Sequence, residues 1–122
     1  MLDATFVLYV SDLAASRRFY VRLFGRERVP FEPTFEMFFL ESGARVGLLV
    51  QEDKQAPPPS AASAGFELAF PVAENADVDR LHREWSALGT RIVHPPHDMA
   101  FAYNFTACDP DGYRLRVFCR RM

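Results

Sequence analysis

Three histidines, two cysteines and 16 carboxylates are the side chains of this 122-residue chain able to move protons, attack carbon or hold a metal. His94-Pro-Pro-His97 sets two imidazoles three residues apart, and imidazole serves as acid or base near neutral pH. The prolines predict a stiff loop there, and two imidazoles in such a loop chelate a metal poorly without further ligands. His82 falls on the flank of a predicted helix. Cys108 and Cys119 lack a Cys-x-x-Cys spacing and read as small buried hydrophobes. The chain has no nucleophile motif built on Ser, Cys or His, no phosphate loop and no dinucleotide fingerprint.

Aromatic content is the stronger signal: 12 Phe, 4 Tyr and 1 Trp. Phe is apolar all over, so such a surplus either fills a core or lines a cavity for a flat apolar ligand. Phe35, Met37 and Phe39 alternate along one strand-like run, and Phe101, Tyr103 and Phe105 along another. Facing a cleft, they would stack on a planar ligand; facing a helix, they would be core, and alternation alone leaves both open. Trp85 sits on a helical apolar stripe and is expected in the core.

The elements that must position these residues come from an ordinary globular composition, 49% hydrophobic and 25% charged. The net charge of -2 gives no basic field to gather nucleic acid or anionic lipid, so neither nucleic acid nor membrane is an expected partner. No run approaches the roughly 18 apolar residues of a membrane span, and Met1-Leu2-Asp3-Ala4 lacks the order of a signal peptide; a cytoplasmic protein is expected. Thr5 to Val10 reads as a strand, Leu13 to Phe24 as a helix capped by Asp12 and closed by Gly25, and strands follow around Val29, Glu36–Leu40 and Ala44–Val50. Residues 51–64, with three consecutive prolines, read as a linker. The order then returns: a strand at Phe66–Val72, a helix from about Ala76 to Leu88, and strands at Arg91–Val93, Phe101–Cys108 and Tyr113–Cys119. Val10 to Val72 is 62 residues, Gly25 to Gly89 is 64 and Gly43 to Gly112 is 69. The fold class expected is therefore α+β, one domain of two βαβββ modules, 4–50 and 65–120, whose sheets leave a concave face.

Tyr9-Val-Ser-Asp-Leu-Ala-Ala-Ser-Arg-Arg-Phe-Tyr-Val-Arg-Leu-Phe-Gly25 and Asp109-Pro-Asp-Gly-Tyr-Arg-Leu-Arg-Val-Phe118 resemble the opening helix and closing hairpin of the vicinal oxygen chelate superfamily, which holds glyoxalases, dioxygenases and bleomycin-resistance proteins. The resemblance covers essentially the whole chain and implies paired βαβββ modules, commonly in a homodimer. In the superfamily's metalloenzymes His or Glu ligands sit at positions matching Thr5, Gly47, Glu67 and Arg116. Only Glu67 could serve, and a guanidinium about 5 Å from a dication would oppose binding by roughly 6 to 7 kcal/mol at an effective dielectric near 20. The expectation is no metal, no other cofactor and no catalytic residue, with a Glu67–Arg116 ion pair where the metal would sit and Arg116 keeping donors for a ligand carboxylate or carbonyl. Val10-Ser, Phe19-Tyr, the helix Asp77 to Trp85, Asp109-Pro-Asp-Gly112 and Arg116-Val are similar to the metal-free phenazine-antibiotic-resistance type, which implies a homodimer sequestering a small aromatic molecule. The ligand-contacting set expected is Phe35, Met37, Phe39, Gly47 and Leu49 in the first module, with Glu67, Phe101, Tyr103 and Arg116 in the second. The alternative is a glyoxalase-like or dioxygenase-type enzyme, with an irregular metal site or with His97, Tyr103 or Glu67 transferring protons.

Overall fold

Asp12 and Gly25 bracket the first helix. The Asp12 carboxylate accepts from the Ala15 amide at 3.1 Å, and Gly25 closes the last turn at φ 66°, its amide donating to the Val21 carbonyl at 3.0 Å. The computed structural model describes residues 3–50, 66–100 and 102–121; the linker expected at 51–64 and Phe101 lie outside these. Two compact units result, residues 1–62 and 63–122.

In the first unit β1 (Phe6–Val10), α1 (Leu13–Phe24), β2 (Val29–Glu32), β3 (Phe35–Phe39) and β4 (Arg45–Val50) form a sheet of order β1-β4-β3-β2, with β1 parallel to β4 and the other pairs antiparallel. The second unit repeats this with β5 (Glu67–Pro71), α2 (Asn75–Ala87), β6 (Arg91–Asp98), β7 (Ala102–Cys108) and β8 (Arg114–Arg120), ordered β5-β8-β7-β6. The α+β βαβββ repeat expected from spacing is present.

Each helix covers one face of its own sheet. Tyr20 and Phe24 of α1 meet Phe38 of β3, with ring centroids 6.3 and 5.4 Å away. Trp85 of α2 meets Phe105 of β7 edge to face at 5.2 Å, so the core placement expected for Trp85 holds. Leu88, expected on the α2 stripe, falls past the helix end and is exposed.

One expectation fails: His94-Pro-Pro-His97 is strand, not loop. Proline cannot donate to a ladder, but β6 is the outer strand, and two register shifts let it carry both prolines without stranding a partner on β7.

Glu36 is a charged residue only 3% exposed, on the α1 side of β3. Arg17 Nε donates to both carboxylate oxygens at 2.8 and 3.1 Å, and Arg28 Nε lies 3.3 Å from Oε1. Burial favours the protonated form, but the Arg17 hydrogen bonds and the charges of Arg17 and Arg28 outweigh it and hold Glu36 below the ordinary value of 4.5. A group with a lowered folded pKa stabilises the fold above its unfolded value and loses that contribution as pH falls through the folded one. Glu36→Gln should therefore lower stability at neutral pH by about 2 kcal/mol, since it removes the buried anion that holds two half-buried arginines, and the gap to the parent should narrow as pH falls below the ordinary carboxyl value of 4.5. Denaturant titrations at pH 7 and pH 3.5 measure both values; a constant gap would rule out the ion pair as its source.

Candidate functional site

The sheet faces turned away from the helices carry side chains in rows set by strand register. In the first unit one row runs Val7, Gly47, Met37, Val29 across all four strands, and the next runs Tyr9, Leu49, Phe35. Phe31 extends this surface, 5.9 Å from Phe35 and 6.4 Å from Phe39 by ring centroids. Phe35, Met37, Phe39, Gly47 and Leu49 thus share one face, as alternation required. Gly47 is needed there: a Cβ would lie 2.7 Å from Phe35 Cε1 and 3.5 Å from Met37 Sδ, because the Phe35 ring lies over the bare backbone.

The matching face of the second unit is polar. Its rows run Ala69, Arg116, Thr106, His94 and Pro71, Phe118, Asn104, His97. The expected ion pair between Glu67 and Arg116 is present: Arg116 Nε donates to Glu67 Oε2 at 2.7 Å and Nη2 to Oε1 at 3.2 Å. The side chains are 23% and 34% exposed, so the fork is partly desolvated. Nη1 donates to Asn104 Oδ1 at 2.5 Å and to Met99 Sδ at 3.3 Å. Asn104 is fully buried and its Nδ2 donates to the His97 carbonyl at 3.3 Å. Among the described residues, four of the five Arg116 N–H groups therefore have partners, fewer open donors for a ligand than expected.

Tyr103 and its neighbour Phe105 take the other face. Tyr103 donates its hydroxyl to Asp79 of α2 at 2.6 Å, and Phe105 packs on His82 and Trp85. The expectation that Tyr103 shares a ligand face with Arg116 is corrected: alternation grouped the aromatic residues properly, but α2 takes their side. Asn104 and Thr106 occupy the face instead, and sequence reasoning passed over them. The signal available was the polar residues interleaved with aromatic ones in Tyr103-Asn-Phe-Thr106.

Both opening-strand positions that the resemblance assigns to metal ligands are held by a closing-strand arginine of their own unit. Arg45 Nε donates to Thr5 Oγ1 at 3.1 Å, while Arg45 Nη2 reaches the Ala4 carbonyl at 3.1 Å and Asp3 at 2.7 Å. Thr5 is thus a neutral hydroxyl already in use, Gly47 has its space filled by a phenyl ring, Glu67 has both oxygens on a guanidinium, and Arg116 has no lone pair to give. This donor set does not fit a divalent ion. Among the described residues no three His, Cys, Asp or Glu side chains are grouped to hold one.

Thr106 Oγ1 is buried beside Arg116 with no hydrogen-bond partner among the described residues. An unsatisfied buried hydroxyl costs about 1 to 3 kcal/mol, and a methyl of the same shape removes that cost. Thr106→Val should therefore raise stability by about 1 kcal/mol, read as a higher denaturation midpoint at unchanged m-value. A lowered midpoint would mean that the hydroxyl is satisfied in solution.

The profile of the glyoxalase/bleomycin resistance protein/dioxygenase superfamily matches residues 4–117. A solution NMR structure of a protein from Agrobacterium tumefaciens matches at TM-score 0.84 and 36% identity, covering 99% of this chain and 100% of that one. A glyoxalase-related enzyme from Fulvimarina pelagi matches at TM-score 0.80 and 24% identity, over 97% of this chain and 87% of its own. A glyoxylase/bleomycin resistance protein/dioxygenase domain from Frankia sp. matches at TM-score 0.78 and 21% identity, over 99% and 98%. At the last two identities the likeness speaks of fold alone. No curated protein matches the chain. Both units carry the βαβββ order, and the profile spans nearly the full length: the chain belongs to the glyoxalase/bleomycin resistance protein/dioxygenase superfamily.

Proposed function

We propose that this chain captures a planar hydrophobic or aromatic small molecule on the outward face of its first sheet, without metal-assisted chemistry. The observation that carries the reading is that apolar face. Phe31, Val29, Phe39 and Val7 are 53%, 43%, 41% and 40% exposed around a row whose centre is a glycine. Contiguous exposed apolar surface of this kind marks binding sites in soluble proteins, and aromatic rings give a flat ligand offset-stacked or edge contacts. Gly47 lets the Phe35 ring settle onto the sheet, which flattens the bed. The motif resemblance to the metal-free phenazine-antibiotic-resistance type implies the same kind of ligand, and sequestration by mass action would protect a cell from a toxic aromatic compound.

The enzyme alternative drew its proton-transfer groups from His97, Tyr103 and Glu67. Two are committed elsewhere. The Asp79 carboxylate accepting from the Tyr103 hydroxyl, with burial adding to it, holds that phenol above its usual 10.0, and Glu67 is forked onto Arg116. Tyr103 is thus not poised to give up its proton near neutrality, and both Glu67 oxygens already accept from Arg116.

Trp85 is buried in the core of the second unit, so its emission is a poor reporter for this face; the ligand's own absorbance is better. Titrating phenazines and other planar aromatic compounds should give saturable spectral shifts. Phe31→Ala and Phe39→Ala, both at exposed positions, should each weaken binding by about 1 to 2 kcal/mol, roughly 5- to 30-fold, with the thermal midpoint of the free protein nearly unchanged. If no planar aromatic compound shifts its spectrum, or if both variants bind as tightly as the parent, the reading fails.

A further inference from the structure

His94 and His97 are both exposed on β6, and the register shift between them has a consequence for chemistry. Residues three apart on a regular strand point to opposite faces. Here His94 pairs with Thr106 and His97 with Asn104, so three steps along β6 match two along β7, and both imidazoles emerge on the same face. Their ring centroids are 6.0 Å apart. Pro95 and Pro96 between them have fixed φ, so little backbone freedom is lost in holding the pair.

The tautomer of one ring is set by its neighbour. His97 Nδ1 lies 2.8 Å from the Pro95 carbonyl oxygen, which can only accept; Nδ1 therefore carries the proton, and Nε2 of the neutral ring keeps the lone pair a metal would use. A backbone carbonyl on the far nitrogen is the usual arrangement behind a metal-bound histidine. Two imidazoles sharing one tetrahedral ion at the usual Zn–N length of about 2.0 to 2.1 Å have centroids about 5 Å apart, so His94 needs to move by about 1 Å, within the reach of an exposed side chain. The Arg116 backbone lies two strands away; its guanidinium reaches across to Asn104 and Met99, and its charge is compensated by the Glu67 carboxylate.

We propose that His94 and His97 form a two-imidazole site for a borderline divalent transition-metal ion, Zn2+, Ni2+ or Cu2+, whose remaining positions are taken by water or by a donor atom of an exogenous ligand. The site lies on the outer strand, apart from the superfamily's ligand positions, and does not depend on the aromatic-capture reading. Imidazole suits these ions, whereas the hard oxygen-seeking Mg2+ and Ca2+ gain nothing from it.

Calorimetric titration of the chain, free of any histidine tag, with Zn2+ or Ni2+ alone should show one ion per chain and none with Mg2+. His94→Gln and His97→Gln should each weaken binding at least tenfold. His82→Gln, which alters a ring packed on Phe105 beside α2, is the control and should bind as the parent does. Nitrogen-15 spectra of the imidazoles should show Zn2+ shifting His97 Nε2 and not Nδ1. The site is refuted if the parent binds neither ion, if both β6 variants match the parent while folded by circular dichroism, or if His97 Nε2 does not respond.

Discussion

The Arg116 guanidinium is held by Glu67 on one side and by a fully buried Asn104 on another, and this grip determines what the second sheet can offer a ligand. The repeat makes its logic visible. Gly47 and Phe35 of the first unit stand 69 residues before Arg116 and Asn104, at matching strand positions. Where the closing strand has no side chain, a large ring from the neighbouring strand fills the space; where it has an arginine, the neighbour shrinks to an amide that supplies an acceptor. Each combination bridges two neighbouring rows of its own sheet, and exchanging one member would leave either an overlap or an unmet donor. One βαβββ plan thereby gives an apolar face in one unit and a cationic, hydrogen-bonding face in the other.

A polar link also ties each sheet to its helix, though not at matching strand positions. Arg17 of α1 holds Glu36 of β3, and Asp79 of α2 holds Tyr103 of β7, whereas at the 69-residue offset Glu36 corresponds to Phe105. One link is a helix cation on a strand carboxylate, the other a helix carboxylate on a strand phenol. Such links add direction to packing that is otherwise hydrophobic, and each fixes which strand residue lies under which helical turn. Tyr103 is withdrawn from chemistry on the opposite face by the same contact.

Much of this architecture was legible before any coordinates. The first helix followed from Asp12, Gly25 and its apolar positions, and its bounds are those expected. Glu67 and Arg116 could be paired because alternation put both on one face of adjacent strands. What stayed hidden depended on partners distant in sequence. Nothing local marks Glu36 as a buried charge, since Arg17 is 19 residues away and meets it only once α1 has docked. The aromatic alternation around Tyr103 grouped residues correctly, but a strand has two faces and only α2 decides between them. His94-Pro-Pro-His97 was misread because proline argues against a strand in general, and its tolerance on an outer strand appears only when the strand order is known.

The prolines of β6 have an effect beyond the two imidazoles. An outer strand normally exposes alternating amides and carbonyls that invite another polypeptide to dock and lengthen the sheet. Pro95 and Pro96 delete two successive donors, and the register irregularity bends the remainder out of line. Accretion of foreign strands along that margin is therefore obstructed by covalent structure, whatever the solvent or pH, and this chain can keep a long β6 without a long sticky border.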